Sequence, residues 1–379
     1  YKAGMPAQYG GRLSSVLDIK MNEGNNQEFN VSGGIGLIST KLNVEGPIQK
    51  NKSSFLASGR RTYVDMFLKL SKDSTVNSNR LSFYDFNAKA NYILGRKDRI
   101  YLSGYFGRDN LGVGNTFGLD WGNGTGTIRW NHIFNPKLFS NTSLIFSNYN
   151  YNISIRSGAT DFDIFSQIRD WNFKEELQWY LNNKHSLRFG VNAIYHSIRP
   201  GEVSASEASS VNSSKLQTRY SLENAVFATD TWKAAGKIQV SYGVRLTAFS
   251  ILGRGDFFTI DPAGVITDTL RYDKGAVVKT YLNAEPRVAI SYQLNPLSSL
   301  KASYARNVQN LHLLSNSTTS SPTDKWVAST NIIKPEISDQ YSIGFYTNLY
   351  DNRYEFTVEA YYKSMQNQID YRDGADIYI

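Results

Sequence analysis

Cysteine is absent from this chain of 379 residues, and histidine occurs only four times. Without cysteine the chain has no disulfide framework, no thiolate metal site and no cysteine nucleophile. The histidines do not cluster with acidic residues at the spacing of a metal site. No Gly-x-Ser-x-Gly elbow is present either. We therefore predict no metal site, no bound cofactor and no enzymatic activity; only a loose Ca²⁺ site at the aspartates of residues 252–277 stays open.

Long hydrophobic runs are also missing. A helix needs about 20 consecutive apolar residues to cross a bilayer, and no such stretch occurs, although 41% of the residues are hydrophobic and the mean hydropathy is -0.40. The sequence therefore excludes a helical membrane span. No signal-peptide h-region opens the chain, so we expect the natural N-terminus to lie upstream of Tyr1.

What the chain does contain is a one-for-one alternation of apolar and polar residues over long stretches. In residues 353–363 the even positions are apolar or aromatic, and most of the odd positions are charged or polar. The same pattern recurs at 186–196, 238–248, 282–294 and 340–349. Successive side chains of a strand point to opposite faces. Soluble strands average about 5–6 residues, whereas tilted strands that cross an outer membrane need about ten.

Short turns and long polar connections alternate along the chain. Turn-forming residues mark seven short turns, at 49–52, 95–98, 135–137, 182–184, 233–236, 295–298 and 350–353. Longer connections are predicted at 65–80, 108–124, 152–164, 199–214, 252–277 and 309–335. This sorting is typical of outer-membrane barrels, with short periplasmic turns and long extracellular loops.

The fold class that follows is all-β: a transmembrane antiparallel β-barrel. We count about 15 strands between Gln27 and Asp370 and expect roughly 22 in the complete barrel, because the largest plugged barrels have that number. The remaining seven would follow Ile379. Residues 1–25 do not join the alternation and are predicted to be the end of a separate unit, with the barrel spanning 26–379.

Several segments resemble TonB-dependent outer-membrane receptors. Residues 6–19 (PAQYGGRLSSVLDI) resemble the C-terminal end of the plug domain in that family. Residues 30–36, 44–48 and 58–63 look like its first barrel strands. Residues 304–314 (YARNVQNLHLL), 322–326 and 334–341 (KPEISDQY) are similar to late strands of a subgroup that often carries a carboxypeptidase-regulatory-like domain upstream.

The resemblance implies energy-coupled import of a scarce ligand, such as an iron chelate, glycan, peptide or cofactor. It also implies that the TonB complex pulls on the plug through an N-terminal part that this sequence lacks. Two other functions stay open: a non-transporting barrel that anchors surface or secretion partners, including a surface lipoprotein, and a passive porin. The plug-like segment disfavours the porin.

Two groups of residues are candidate sites. Charged side chains on the lumen face are predicted to hold the plug or to guide a polar ligand, or else simply to solvate a wet wall; they are Arg188, Arg245, Glu285, Arg287, Glu355 and Glu359, and Arg12 of the plug tail is a candidate partner for one of the glutamates. Aromatic residues of the loops are predicted to contact ligand, because they combine apolar contact with little entropy loss; they are Phe117, Trp121, Phe257, Phe258 and Trp326, together with His312.

The formal net charge of +8 does not indicate nucleic-acid binding, because lysine and arginine are scattered instead of forming a patch. We predict no nucleic-acid partner. Outer-membrane lipid is the expected surrounding, and basic residues near the strand tops are candidates to meet the phosphates of lipopolysaccharide.

Overall fold

The computed structural model describes residues 4–158, 160–206, 209–211, 213–262, 264–314 and 324–370. Its elements are, in chain order, β1 (Asn30–Ile35), β2 (Ser39–Gln49), β3 (Ser53–Thr62), α1 (Val64–Leu68), α2 (Ser74–Asn77), β4 (Arg80–Ile93), β5 (Asp98–Val113), β6 (Phe117–Asn135), β7 (Leu138–Ile155), β8 (Phe162–Tyr180), β9 (His185–Ala205), β10 (Ser214–Lys215), β11 (Arg219–Ala235), β12 (Ile238–Leu252), β13 (Gly255–Ile260), β14 (Ile266–Tyr272), β15 (Val277–Asn295), β16 (Ser298–Gln309), β17 (Leu311–Leu314), β18 (Lys325–Ala328), β19 (Glu336–Leu349) and β20 (Tyr354–Gln366).

In the part of the chain that the structure describes, one antiparallel sheet of sixteen strands forms the framework. Fifteen of them follow one another in chain order from β1 to β20, and β10 pairs only with β9. The predicted all-β antiparallel architecture is confirmed, and so is the count of about 15 strands. The first of these strands begins at Asn30 and the last ends at Gln366, close to the predicted limits.

The two ends of the sheet differ in their connections. At one end, called the turn end here, seven connections of two to four residues join neighbouring strands, from 50–52 to 350–353. The longer connections between the described strands lie at the opposite end, the loop end. The predicted asymmetry is therefore present, although three of the predicted loops are wrong in extent. The segment 108–124 is mostly strand, and strands also take up about half of 152–164 and of 199–214, because the hydrogen-bond ladders of β5 to β9 continue toward the loop end.

The other three predicted loops contain small elements of their own. Helices α1 and α2 lie in the first, where Asp73 caps α2 by accepting a hydrogen bond from the backbone N–H of Thr75. Strands β13 and β14 form a hairpin in the second, and β17 and β18 form another in the third. Both hairpins contribute to a buried apolar core at the loop end, made of Ile198, Phe249, Ile251, Phe257, Leu311 and Ala328.

The outer face of the sheet is apolar and exposed. Leu246, Phe356 and Val358 are 49%, 50% and 53% exposed, and similar side chains occupy the same face of the neighbouring strands. Trp130, Trp179 and Trp232 lie on this face close to the turn end. A continuous exposed apolar belt bordered by aromatic rings is the signature of a surface that faces lipid.

The inner face is polar and lies against the N-terminal segment, residues 4–25. Within residues 4–29 the structure contains neither a helix nor a strand. Met5, Ala7, Gln8 and Leu13 of this segment are nevertheless buried. Across all the described residues, no helix combines the length and apolar character needed to cross a membrane.

Candidate functional site

The N-terminal segment first lies along the inner wall formed by β11 to β20. The backbone N–H of Ala7 donates to Oγ1 of Thr229 at 3.3 Å, and that of Leu13 donates to Oε1 of Gln309 at 3.3 Å. Nζ of Lys363 donates to the carbonyl of Leu13 at 2.7 Å. Side chains of three separate strands therefore fix the backbone of a segment that has no regular structure of its own.

The segment then crosses to the opposite wall, formed by β3 to β5. Nζ of Lys89 donates to the carbonyl of Met21 at 2.9 Å. The carbonyl of Glu23 accepts hydrogen bonds from Ser54 at 2.7 Å and from Asn91 at 3.0 Å. Both walls thus bind mainly the backbone of the segment.

Arg287 makes the densest set of contacts with the segment. Its Nη1 donates to the carbonyls of Pro6 at 2.7 Å and Tyr9 at 2.6 Å, with Met5 at 3.5 Å. Its Nη2 pairs with Oε2 of Glu285 at 2.8 Å. The side chains of Arg287 and Glu285 are only 4% and 1% exposed. Glu285 thus compensates the buried charge of Arg287, and the Arg287 guanidinium clamps a turn of the segment.

A second buried arginine, Arg245, lies between two glutamates of the wall. Its side chain is 2% exposed, with Nη2 3.7 Å from Glu223 and Nε 3.8 Å from Glu285. Thr247 donates to Glu285 at 2.8 Å, and Asn310 donates to Glu223 at 2.8 Å. Two cations and two carboxylates, counting Arg287, therefore form one compensated network inside the wall.

Gly10 and Gly11 allow the segment to approach this network. A Cβ atom at Gly10 would lie 2.3 Å from Nε of Arg245, closer than a side chain tolerates. Gly11 has φ +73, a backbone conformation that glycine adopts without strain. Gly10 is thus required because the segment approaches Arg245 closely, and Gly11 is required by its backbone geometry.

The predicted lumen charges do lie on the inner face, but their contacts differ from the prediction. Arg188 pairs with Glu176 of the same wall at 3.7 Å. Glu359 accepts a hydrogen bond from Tyr346, and Glu355 is exposed beside the turn at 350–353. Arg245, Glu285 and Arg287 form the buried network. In the described part of the N-terminal segment, the wall residues around this network hold the segment through its backbone carbonyls and through packing. They do not hold it through the predicted ion pairs.

The suggested pairing of Arg12 with a lumen glutamate is wrong. Arg12 donates to the carbonyl of its neighbour Gly11 at 2.8 Å, and its Cζ lies 5.8 Å from the ring centre of Trp326. Because Gly11 faces Glu223 at the surface of the network, the next side chain projects toward the β17–β18 hairpin. Trp326, predicted to contact ligand, therefore contacts the N-terminal segment.

Two further predicted ligand residues are buried. Phe257 is 1% exposed, and the guanidinium of Arg219 lies 4.4 Å from its ring centre. Arg219 also donates to the carbonyl of Asp256 at 2.9 Å. His312 is 1% exposed, and its Nε2 lies 2.8 Å from Oγ of Ser329.

The predicted loop position of Phe117 and Trp121 is wrong. Both belong to β6, because the connection between β5 and β6 is only the three residues 114–116. Phe258 lies in β13 and is half-buried, and its carbonyl accepts a hydrogen bond from Asn331 at 2.7 Å. The predicted aromatic residues are therefore distributed over three regions of the loop end and do not converge on one pocket.

Sequence reasoning missed Glu223 and Asn310 of the buried network. Glu223 follows the alternation of β11, whose inward positions, from Arg219 to Thr229, are buried. That periodicity was a usable signal for Glu223. Asn310 lies between β16 and β17, where no periodic pattern indicates which way a side chain points.

The comparison with protein families decides the classification. The family described as TonB dependent receptor-like, beta-barrel matches residues 51–378. The chain belongs to this family. A member of the TonB-dependent receptor family is an outer-membrane β-barrel of a receptor and transporter class, which agrees with the exposed apolar belt and the polar inner face. A search of curated protein sequences finds no significant match.

Solved receptors of this kind have a similar fold. The copper transporter OprC has a TM-score of 0.64 at 13% identity, covering 91% of this chain and 55% of that one. The ferric-catecholate import receptor Fiu from E. coli K12, in its closed form, has a TM-score of 0.63 at 14% identity, covering 93% and 60%. The hemophore receptor HasR of Serratia marcescens, in complex with HasA and heme, has a TM-score of 0.59 at 13% identity, covering 88% and 53%. The chain thus spans little more than half the length of these receptors.

Proposed function

We propose that this TonB-dependent receptor imports a scarce ligand across the outer membrane and that residues 4–25 are the C-terminal end of its plug. The observation that carries the proposal is the clamp on this segment, in which Arg287 binds the carbonyls of Pro6 and Tyr9 within the lumen. A polypeptide held across the lumen obstructs the free diffusion on which a passive porin depends. Import by withdrawal of a plug requires such a polypeptide.

The chemistry of the clamp suits a segment that is bound to the wall until it is pulled away. Hydrogen bonds from a charged guanidinium to carbonyls are strong but directional, so a pull along the segment breaks them one at a time. Glu285 remains to compensate the charge of Arg287 after the segment leaves. The wall therefore keeps its charge balance in both states.

The ligand class is an iron chelate, glycan, peptide or cofactor, taken up from the loop end, which we place outside the cell. The fold neighbours include a copper transporter, a ferric-catecholate import receptor and a hemophore receptor. The TonB complex is the expected partner on the periplasmic side. Lipopolysaccharide is the expected neighbour of the outer wall near the loop end.

Growth of a deletion strain tests this proposal. The full-length gene is deleted and then restored as wild type or as a variant lacking the TonB-contacting segment, and growth is followed while iron, glycans, peptides or cofactors are limited one at a time. Import predicts a growth defect for one ligand class that the wild type corrects and the truncated variant does not. Equal growth of all strains under every limitation would refute it.

A platform for partner proteins is the second candidate. Strands β7, β8 and β9 are longer than a bilayer crossing needs, with 18, 19 and 21 residues. Together they form a wall that extends beyond the membrane at the loop end. This wall offers ordered surface to a surface lipoprotein or to a protein ligand. Correction of the defect by the truncated variant, together with co-purification of a partner, would favour this function over import.

A further inference from the structure

Three cations of the inner wall surround one aromatic ring, away from the Arg245 network. Cζ of Arg129 lies 4.1 Å from the ring centre of Tyr101, Cζ of Arg99 lies at 5.1 Å and Nζ of Lys89 at 5.7 Å. The four residues belong to the adjacent strands β4, β5 and β6. All four side chains are half-buried on the wall that the N-terminal segment crosses.

The negative charge in contact with this cluster is smaller than its positive charge. Glu23 of the N-terminal segment places Oε2 2.7 Å from Nη2 of Arg99. Lys89 donates to the Met21 carbonyl, which carries no charge. Within the described residues, Nε of Arg99 and Nε of Arg129 are buried and have no hydrogen-bond partner. The cluster thus combines three cations, one contacting carboxylate and two unused donors.

We propose that Lys89, Arg99 and Arg129 form an anion-binding site for a carboxylate or phosphate group, and that Glu23 is the internal ligand of this site. A guanidinium that stacks its face on a ring keeps its N–H donors at the edge. Arginine donors match the oxygens of carboxylate and phosphate. Tyr101 therefore positions the cations and leaves their hydrogen-bonding edges available.

The site has a role in the proposed import, on which this step of the inference rests. Because Glu23 belongs to the segment, withdrawal of the segment removes the internal carboxylate and leaves three cations on the lumen wall near the turn end. An anionic ligand that passes through the lumen then meets a site of opposite charge before it leaves. The geometry favours a cargo with carboxylate or phosphate groups.

Titration calorimetry with inorganic phosphate tests the site in the full chain, purified in detergent micelles. Glu23→Gln removes the internal carboxylate, and we expect this variant to bind phosphate at least tenfold more tightly than the wild type. Glu28→Gln is the matched control, because it makes the same change of charge at an exposed residue five positions further along the chain. It should leave phosphate binding unchanged.

A double variant separates the site from a general change of charge. Adding Arg129→Gln to Glu23→Gln should return phosphate affinity to the wild-type value or below, while thermal melting confirms that both variants remain folded. Equal phosphate affinity of the wild type and Glu23→Gln would overturn the proposal, as would unchanged affinity in the double variant. Because binding is measured without transport, a failed growth test would leave this result standing, and the converse also holds.

Discussion

At the scale of single residues, Arg287 connects the wall to the N-terminal segment. Its substitution by methionine removes the hydrogen bonds to Pro6 and Tyr9 and leaves Glu285 buried beside Arg245 alone. We expect the free energy of unfolding to fall by about 3–5 kcal/mol, the usual cost of removing one partner from a buried pair. Denaturant unfolding in lipid vesicles measures this loss.

The double variant Arg287→Met/Glu285→Leu separates folding from the clamp. Removing both charges should restore most of the stability, because no orphaned carboxylate remains. It should not restore the hold on the segment, so trypsin should cleave after Arg12 or Lys20 faster than in the wild type. Wild-type cleavage rates in the double variant would show that Arg287 does not hold the segment.

Gly10 supports a second prediction at this scale. Gly10→Ala places a methyl group where Nε of Arg245 lies, at 2.3 Å, so the segment or the arginine must move. We expect tryptic cleavage of the segment to accelerate at least severalfold while the barrel stays folded. Gly236→Ala is the control, because nothing lies within 4 Å of a Cβ atom there. Equal acceleration in both variants would rule out this explanation.

At the scale of elements, β8 contains a departure from the apolar outer face. Glu175 pairs across the ladder with Val191 and Thr142, and its neighbours on the same face of β8 are Phe173 and Leu177, midway between Trp171 and Trp179. The outward parity therefore places its carboxylate in the lipid-facing belt. A charged group there is destabilising.

Two adjacent substitutions test this assignment of faces. Glu175→Leu should raise the free energy of unfolding by about 1 kcal/mol or more, because it removes a charge from lipid. Glu176→Leu should lower it by about 1 kcal/mol, because Glu176 points inward and pairs with Lys174 at 3.1 Å and with Arg188 at 3.7 Å. Denaturant unfolding in vesicles gives both values. The same sign for both variants would contradict the assignment.

The elements also show how far sequence reasoning reaches. Alternation determines the face on which a side chain lies, so Arg245, Glu285 and Arg287 were correctly placed inside. The alternation of apolar and polar residues continues unchanged where a strand leaves the membrane. The pattern therefore does not predict that β6 extends through Phe117 and Trp121. Burial of Phe257 under Arg219 depends on hairpins that fold back onto the sheet. Such contacts join residues far apart in sequence and leave no periodic trace.

At the scale of the whole molecule, import through the lumen requires lipid outside and water inside a curved sheet. The absence of cysteine makes this directly measurable, because one introduced cysteine is the only thiol in the chain. Leu246→Cys and Thr247→Cys are neighbours in β12 on opposite faces, with Leu246 49% and Thr247 3% exposed. A spin label at 246 should be relaxed more strongly by oxygen dissolved in lipid than by a water-soluble nickel chelate.

The label at 247 should show less contact with lipid-dissolved oxygen, because its side chain belongs to the network beside Glu285. Extending the scan from 243 to 248 should give an oscillation with a period of two residues, since successive side chains point to opposite faces of a strand. A flat profile, or one with the two relaxing agents reversed, would mean that the apolar face is covered by protein. In that case the import route through the lumen would lose its physical basis, because the inner wall would not enclose an aqueous path across a membrane.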